Sequence, residues 1–181
     1  MIHRVVAIGG PPGSGKSTAG RRVASALHLE YCSAGDRFRE EARARGLSLE
    51  EFGRYAEAHP DVDRGLDEFM QRRAKAGALL DGRIQGPLCR RAGTPVHGIT
   101  VTAEEAVRAR RVADRDGVPV PRALAEIRSR EASERARYLR YYGIDLDREP
   151  SDLTVDSTET PPDGVVTAIL KFLEAAEGAG P

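Results

Sequence analysis

Asparagine and tryptophan are absent from this 181-residue chain, lysine occurs only as Lys16, Lys75 and Lys171, and cysteine only as Cys32 and Cys89. Without asparagine there is no N-K-x-D signature, which disfavours a guanine-reading switch GTPase, and the length leaves no room for a motor domain. The two cysteines form no C-x-x-C pair and share no ligand spacing with His3, His28, His59 or His97, so a disulfide framework or structural zinc site has nothing to build on. No apolar run approaches the ~18 residues of a membrane span, and the apolar stretch after Met1 is too short for a secretory signal. A cytoplasmic chain with no membrane partner is the expectation. An excess of one charge is also missing, since 28 basic side chains face 28 acidic ones. Affinity for a nucleic acid polymer comes from neutralising many phosphates, so no such partner is expected and any anion site must be local.

What is present suffices for one globular domain or two small ones, with 40% hydrophobic residues spread through the chain. Val5 to Ile8 reads as a strand, Gly9 to Gly13 as a tight loop, and Lys16 to Leu27 as a helix with Val23, Ala24, Ala26 and Leu27 at helical spacing. Gly35 to Arg45 reads as a second helix, and Ser48-Leu49-Glu50-Glu51 as a capping box opening a third that Pro60 ends. From Asp61 to Ala76 a fourth helix sets Val62, Leu66, Phe69 and Met70 on its apolar stripe. Ala78 to Leu80 is a buried strand, Gly82 to Gly93 a loop, and Val96 to Val101 a strand, with Thr102 to Glu105 capping the next helix. A long charged helix over Pro121 to Tyr142, a strand over Leu153 to Asp156 and a last helix over Pro161 to Ala176 complete the series, and the tail from Gly178 is expected to fray. Alternating strands and helices predict an α/β fold whose parallel sheet is covered on both faces, with ligands at the carboxyl ends of the strands.

Gly10-Pro11-Pro12-Gly13-Ser14-Gly15-Lys16-Ser17 satisfies G-x-x-x-x-G-K-[ST] between a strand and a helix start. Glycines let backbone N–H groups converge as an anion nest, the helix N-terminus adds partial positive charge, Lys16 bridges the outer phosphates, and the Ser17 hydroxyl suits Mg²⁺. Gly10, Gly13, Ser14, Gly15, Lys16, Ser17 and the following Thr18 are therefore candidate nucleotide-binding residues, with ATP and Mg²⁺ the cofactors implied.

Phosphoryl transfer also needs cations on the transferred group and the acceptor. Three sets stand in suggestive places: Ser33 to Arg39 after the second strand, Asp81-Gly82-Arg83 after the third, and Arg128, Arg130, Arg135 and Arg137 on the long helix. Each has a plainer reading: a solvated charged face for the helix, a helix cap for Asp36, a loop ion pair for Asp81 and Arg83. His97 reads as structural.

The loop Gly10 to Ser17, the stretches Ser33 to Arg39 and Leu47 to Glu57, Asp81-Gly82-Arg83, Arg130 to Tyr138 and Tyr142 to Asp145 together resemble the short, archaeal-type cytidylate kinases of the nucleoside monophosphate kinase family. The resemblance implies a P-loop NTPase three-layer fold with a central parallel five-stranded sheet. It implies a core of residues 1–35, 77–116 and 143–181, a helical acceptor-binding segment at 36–76 and a helical lid at 117–142. Lys16, Arg130 and Arg137 would be catalytic, Arg111 would stack on the ATP adenine with Arg115 nearer its phosphates, and residues 156–158 would lie beside that ring. Ser33, Asp36, Arg39, Arg83, Glu134 and Arg137 would serve the acceptor, and Asp36 and Asp81 would be water-mediated Mg²⁺ contacts. The function implied is ATP-dependent phosphorylation of a nucleoside monophosphate, CMP or dCMP, by a monomer with small nucleotide substrates. The run after Arg83 and the His97-Gly98 pair depart from the family pattern, which keeps a modified cytidine monophosphate, another small metabolite, or a nucleotide-binding regulatory module with little turnover as alternatives.

Overall fold

A computed structural model describes residues 2–178, and among them five strands alternate with eight helices. β1 (Val5–Gly9), β2 (Glu30–Ser33), β3 (Ala78–Asp81), β4 (Val96–Thr102) and β5 (Leu153–Asp156) form one sheet in the order β2-β3-β1-β4-β5, each neighbouring pair parallel. The register sets Ile8 beside Asp81 and Gly9 beside Thr100, so the strands finish together along one edge.

Successive side chains of a strand face opposite ways, and in β1 both faces are apolar. Val6 and Ile8 join Ala19, Val23 and Ala24 of α1 (Lys16–Leu27) and Val165, Ile169 and Leu173 of α8 (Pro162–Gly178). Val5 and Ala7 turn the other way, with Leu80, toward Met70 of α4 (Pro60–Gln71) and Cys89 of α5 (Gln85–Arg91). Helices thus cover both faces, as parallel sheets require, and the expected three-layer α/β fold is present. α2 (Ala34–Ala44) and α3 (Leu49–Ala58) stand with α4 on the β2 side. α6 (Glu105–Asp116) pairs with α7 (Val120–Tyr142) around Ala109, Val112, Ala123 and Ile127.

Several local expectations need correction. Residues 85–91, read as loop, form α5, because Ile84 and Cys89 are buried beneath the sheet and Gln85 and Gly86 pack with them. Residues 72–76, expected to continue α4, lie outside it. The buried face of α4 is Asp63, Asp67 and Met70 rather than the purely apolar stripe, because α5 and α7 bring polar partners to both carboxylates. Thr102 ends β4 and does not cap α6; the Glu104 N–H at that end donates to Thr158 Oγ1 instead. The capping box at Ser48 and Glu51 is present. Gly178 ends α8, and residues 179–181 of the tail expected to fray lie outside the described residues.

Candidate active site

The turn between β1 and α1 is built on glycines that cannot be replaced cheaply. Gly10 has φ +139°, and a Cβ there would lie 2.0 Å from the Val101 carbonyl oxygen; at Gly13, φ +80°, it would lie 2.7 Å from that of Arg108. Such backbone is nearly closed to other residues, and it frees N–H groups to converge. Ser14 is fully buried and its Oγ makes no hydrogen bond. Ser17 is partly buried on the first turn of α1, and Thr18 is exposed beside it. Burial pushes the Lys16 ammonium down to about 8, against the pull of Asp81 and Glu134 and with the push of Arg130 and Arg83. Its Nζ lies 3.4 Å from the Pro11 carbonyl.

Those four charged neighbours come from β3, the turn after it and α7. Asp81, 2% exposed at the end of β3, accepts a 2.6 Å hydrogen bond from Tyr31 and makes no ion pair with Arg83, so the loop ion-pair reading fails. Arg83 instead turns to α7, its Nε 3.3 Å from Glu134 Oε2. Arg130 donates to the other oxygen of Glu134 at 2.7 Å. Glu134 is 4% exposed, and its pKa stays low although burial opposes this, because Arg130 and Arg83 flank it. Arg83 Nη1 and Glu134 Oε2 are buried without a hydrogen bond, so the cluster has capacity for a further polar group.

The remaining candidates divide. Arg111 reaches Ser157, donating to its Oγ at 2.9 Å and its carbonyl at 2.6 Å, and Ser157 Oγ donates to the Ser14 carbonyl at 2.8 Å, which joins residues 156–158 to the phosphate loop. Arg115 instead pairs with Asp116 at the surface. Ser33 caps α2 by accepting the Asp36 N–H at 3.1 Å, so Asp36 is not the cap. Asp36 is held by Arg39 at 2.5 Å and Arg21 at 2.8 Å. Arg137 places Nη1 on both oxygens of Asp63 and keeps a buried Nε that makes no hydrogen bond. Arg128 and Arg135 do not join the cluster: Arg128 pairs with Glu105 on the exterior, and Arg135 pairs with Asp147 at the rim of a neighbouring cavity, neither using the Glu131 or Glu134 partners of a solvated helix face. His97 is structural, its Nε2 bonded to Glu177 at 2.8 Å; the partner lies 80 positions away. Gly98 is explained by Arg90, whose guanidinium, anchored on Asp152, lies where a Cβ would be.

Asp63, Asp67 and Arg108 were not marked by any motif, and Tyr142 and Gln85, which lie in stretches singled out above, were given no role there. Asp67 accepts from Tyr142 at 2.6 Å and from Gln85 at 3.1 Å, and burial pushes it up to about 6. Two aspartates four residues apart on an amphipathic helix, level with its apolar stripe, are the signal that would have found them. A cavity of about 350 Å³ opens at the carboxyl ends of β1 and β4, lined by Gly10, Pro11, Arg83, Arg108 and Glu131 among others. Among the described residues no group of three or more His, Cys, Asp or Glu side chains is placed to hold a metal, and no helix is long and apolar enough to cross a membrane.

A phosphate loop serves motors, switches and kinases alike, and here arginines from after β3 and from α7 gather beside its lysine; the relatives of this chain put it in the class of the P-loop kinases. A family model described as an AAA domain matches residues 9–128. The chain is 46% identical over 153 residues to a cytidylate kinase of Aeropyrum pernix, covering 83% of this chain and 88% of that one. It is 38% identical over 181 residues to a cytidylate kinase of Pyrococcus horikoshii, covering 97% and 93%. The shikimate kinase of Aquifex aeolicus shares the fold, with a TM-score of 0.57 at 17% identity over 97% of this chain and 99% of that one. The chain belongs to the cytidylate kinase family.

Proposed function

We propose that this chain transfers the γ-phosphoryl group of ATP to a phosphate oxygen of CMP or dCMP. The bond from the γ-phosphorus to the β–γ bridging oxygen breaks, a bond to the acceptor oxygen forms, and ADP and the nucleoside diphosphate leave. One observation carries the reading: Glu134 of α7 sits between Arg83 from the end of β3 and Arg130 from its own helix, within the field of Lys16. That is where a loop-bound triphosphate and a second phosphate would meet.

The residues fit the nucleotides they are asked to hold. Gly10, Gly13, Ser14 and Gly15 offer the N–H nest, and the orphaned Ser14 Oγ and the partly buried ammonium of Lys16 call for an anion. Thr18 borders the nest, and Arg111, tied through Ser157 to the loop, is the platform for the adenine. Ser17 is the protein ligand for Mg²⁺, which when bound neutralises charge on the donor phosphates. Arg39 and Arg83 take the acceptor phosphate, Ser33 and Asp36 hold the α2 start that carries Arg39, and Glu134 keeps Arg83 and Arg130 aimed. Arg130 and Arg137 meet the transferred group from α7.

No general base is required, because the acceptor phosphate is already anionic; the work is positioning and electrostatic stabilisation. A hydroxyl acceptor would need one, and Asp36 is a poor choice: although burial raises it, Arg39 and Arg21 hold its pKa below the ordinary value. Residues 36–76 and 117–142 act as the acceptor-binding and lid segments, and closure keeps water from competing as acceptor. The enzyme works as a cytoplasmic monomer.

ADP release with Mg-ATP against CMP, dCMP, UMP, AMP, GMP and no acceptor tests the reading. Selective turnover with CMP or dCMP is the expected result. ATP binding without turnover on any of them would overturn it.

A further inference from the structure

Arg108 reaches the phosphate loop from α6, where no motif marks it. It is 7% exposed. Its Nε donates to the Ala103 carbonyl at 3.0 Å, and its Nη1 donates both to the Pro12 carbonyl at 3.1 Å and to Glu131 of α7 at 2.5 Å. Its own backbone packs on the next loop residue, since a Cβ on Gly13 would fall 2.7 Å from the Arg108 carbonyl oxygen. One residue therefore holds Pro12 through its guanidinium and Gly13 through its main chain.

That grip matters because the peptide unit is planar and trans. When the Pro12 carbonyl is pinned outward toward Arg108, the Gly13 N–H on the same peptide points the opposite way, toward the anion nest. Glu131 of α7 accepts from the same Nη1 that pins the Pro12 carbonyl. It follows Arg130, which bonds Glu134 within α7 and acts on Lys16 through its charge, so adjacent residues of α7 bear on the loop through Arg108 and at Lys16.

We infer that Arg108 is a positioning residue that transmits the placement of α7 to the phosphate loop: with Glu131 against it, the Pro12 carbonyl is fixed and the Gly13 N–H is presented to a triphosphate. When α7 withdraws, the pin loosens and the loop's hold on the triphosphate weakens. The inference rests on the proposed role of the loop in holding ATP. Lysine cannot replace the arginine, because a point charge does not span three acceptors in fixed directions.

The test compares the full-length protein with Arg108→Lys, Glu131→Gln and the double variant, and with Glu105→Gln as control. Glu105 pairs with Arg128 at 2.7 Å, so it joins the same two helices at an exposed position away from the loop. ATP affinity is measured by calorimetry without acceptor, alongside KM for ATP and for CMP and the melting temperature. Arg108→Lys should weaken ATP binding about tenfold and Glu131→Gln a few-fold, the double should be no worse than Arg108→Lys, and KM for CMP should hold. Unchanged ATP affinity, losses that multiply in the double variant, or an equal loss in Glu105→Gln would each overturn the inference. If ATP binds and no monophosphate is phosphorylated, the proposed function fails while the affinity comparison still decides this point; if ATP does not bind, both fall.

Discussion

Arg137 of α7 and Asp63 of α4 form a buried ion pair, with Nη1 2.6 Å from Oδ1 and 2.8 Å from Oδ2 and the side chains 7% and 3% exposed. The contact joins the helix proposed as lid to the helix proposed to flank the acceptor. Burial pushes Asp63 above the ordinary carboxylate value despite Arg137, a sign that the pair is held in a poorly solvated place. A second anion reaching Arg137 would find its Nε still free of partners.

Arg137→Ala should have two separable effects. Loss of a transition-state cation should lower kcat by on the order of 10²–10³, and a near-normal kcat would remove Arg137 from the transition state. Stranding Asp63 should cost about 3–5 kcal/mol of stability. Adding Asp63→Asn should recover most of that stability in urea unfolding and none of the rate; recovery of both would mean that the pair is structural only.

Lys16 makes ATP binding pH-dependent. Burial lowers its pKa to about 8 in the free protein, and the approach of phosphates favours the charged form and raises it again. Binding then takes up a proton near and above pH 8, and affinity should fall as pH rises through that value. Calorimetry in buffers of different ionisation enthalpy should show the uptake. Lys16→Arg should abolish the uptake, and Lys16→Ala should lower kcat by on the order of 10²–10³. Equal uptake in wild type and Lys16→Arg would assign the proton elsewhere.

The two ends of the phosphate loop should differ in tolerance. At Gly10 a Cβ would meet the Val101 carbonyl at 2.0 Å, and backbone cannot retreat cheaply, whereas at Gly15, φ +87°, nothing lies within 4 Å. Gly15→Ala should cost only the left-handed strain of about 1–2 kcal/mol and leave a folded protein. Gly10→Ala should displace β1 from β4 and abolish ATP binding. Comparable chemical stability in the two variants would contradict the predicted difference.

Much of the fold could be read from the sequence because its signals are local. Lys16–Leu27 and Leu153–Asp156 have the bounds their patterns predict, and the loop motif lies between a strand and a helix as its chemistry demands. What failed depended on partners distant in sequence. α5 hid behind arginine and glycine because its helical face is defined by the sheet it covers. Asp63 and Asp67 broke an apolar stripe whose meaning appears only when Arg137 and Tyr142, about 75 residues later, are folded onto it. The His97 partner Glu177 and the Arg108 contact with Pro12 were hidden in the same way.

Asp67 gives the fold a pH dependence of unusual sign. Burial pushes its pKa up to about 6, although hydrogen bonds from Tyr142 and Gln85 and the charge of Arg137 act the other way. Between the ordinary carboxylate range and about 6 the folded protein therefore binds a proton that the unfolded chain has released, and stability falls as pH rises through this window. Above it the cost of ionising the buried group is paid in full, a few kcal/mol at most. Asp67→Asn removes the titration while keeping an acceptor for one of the two donors. Urea unfolding at pH 4.5 and pH 7 should show wild type losing stability relative to Asp67→Asn across the interval. A constant difference between the two proteins would mean that Asp67 is ionised throughout, with Tyr142 and Gln85 sufficient to hold its charge.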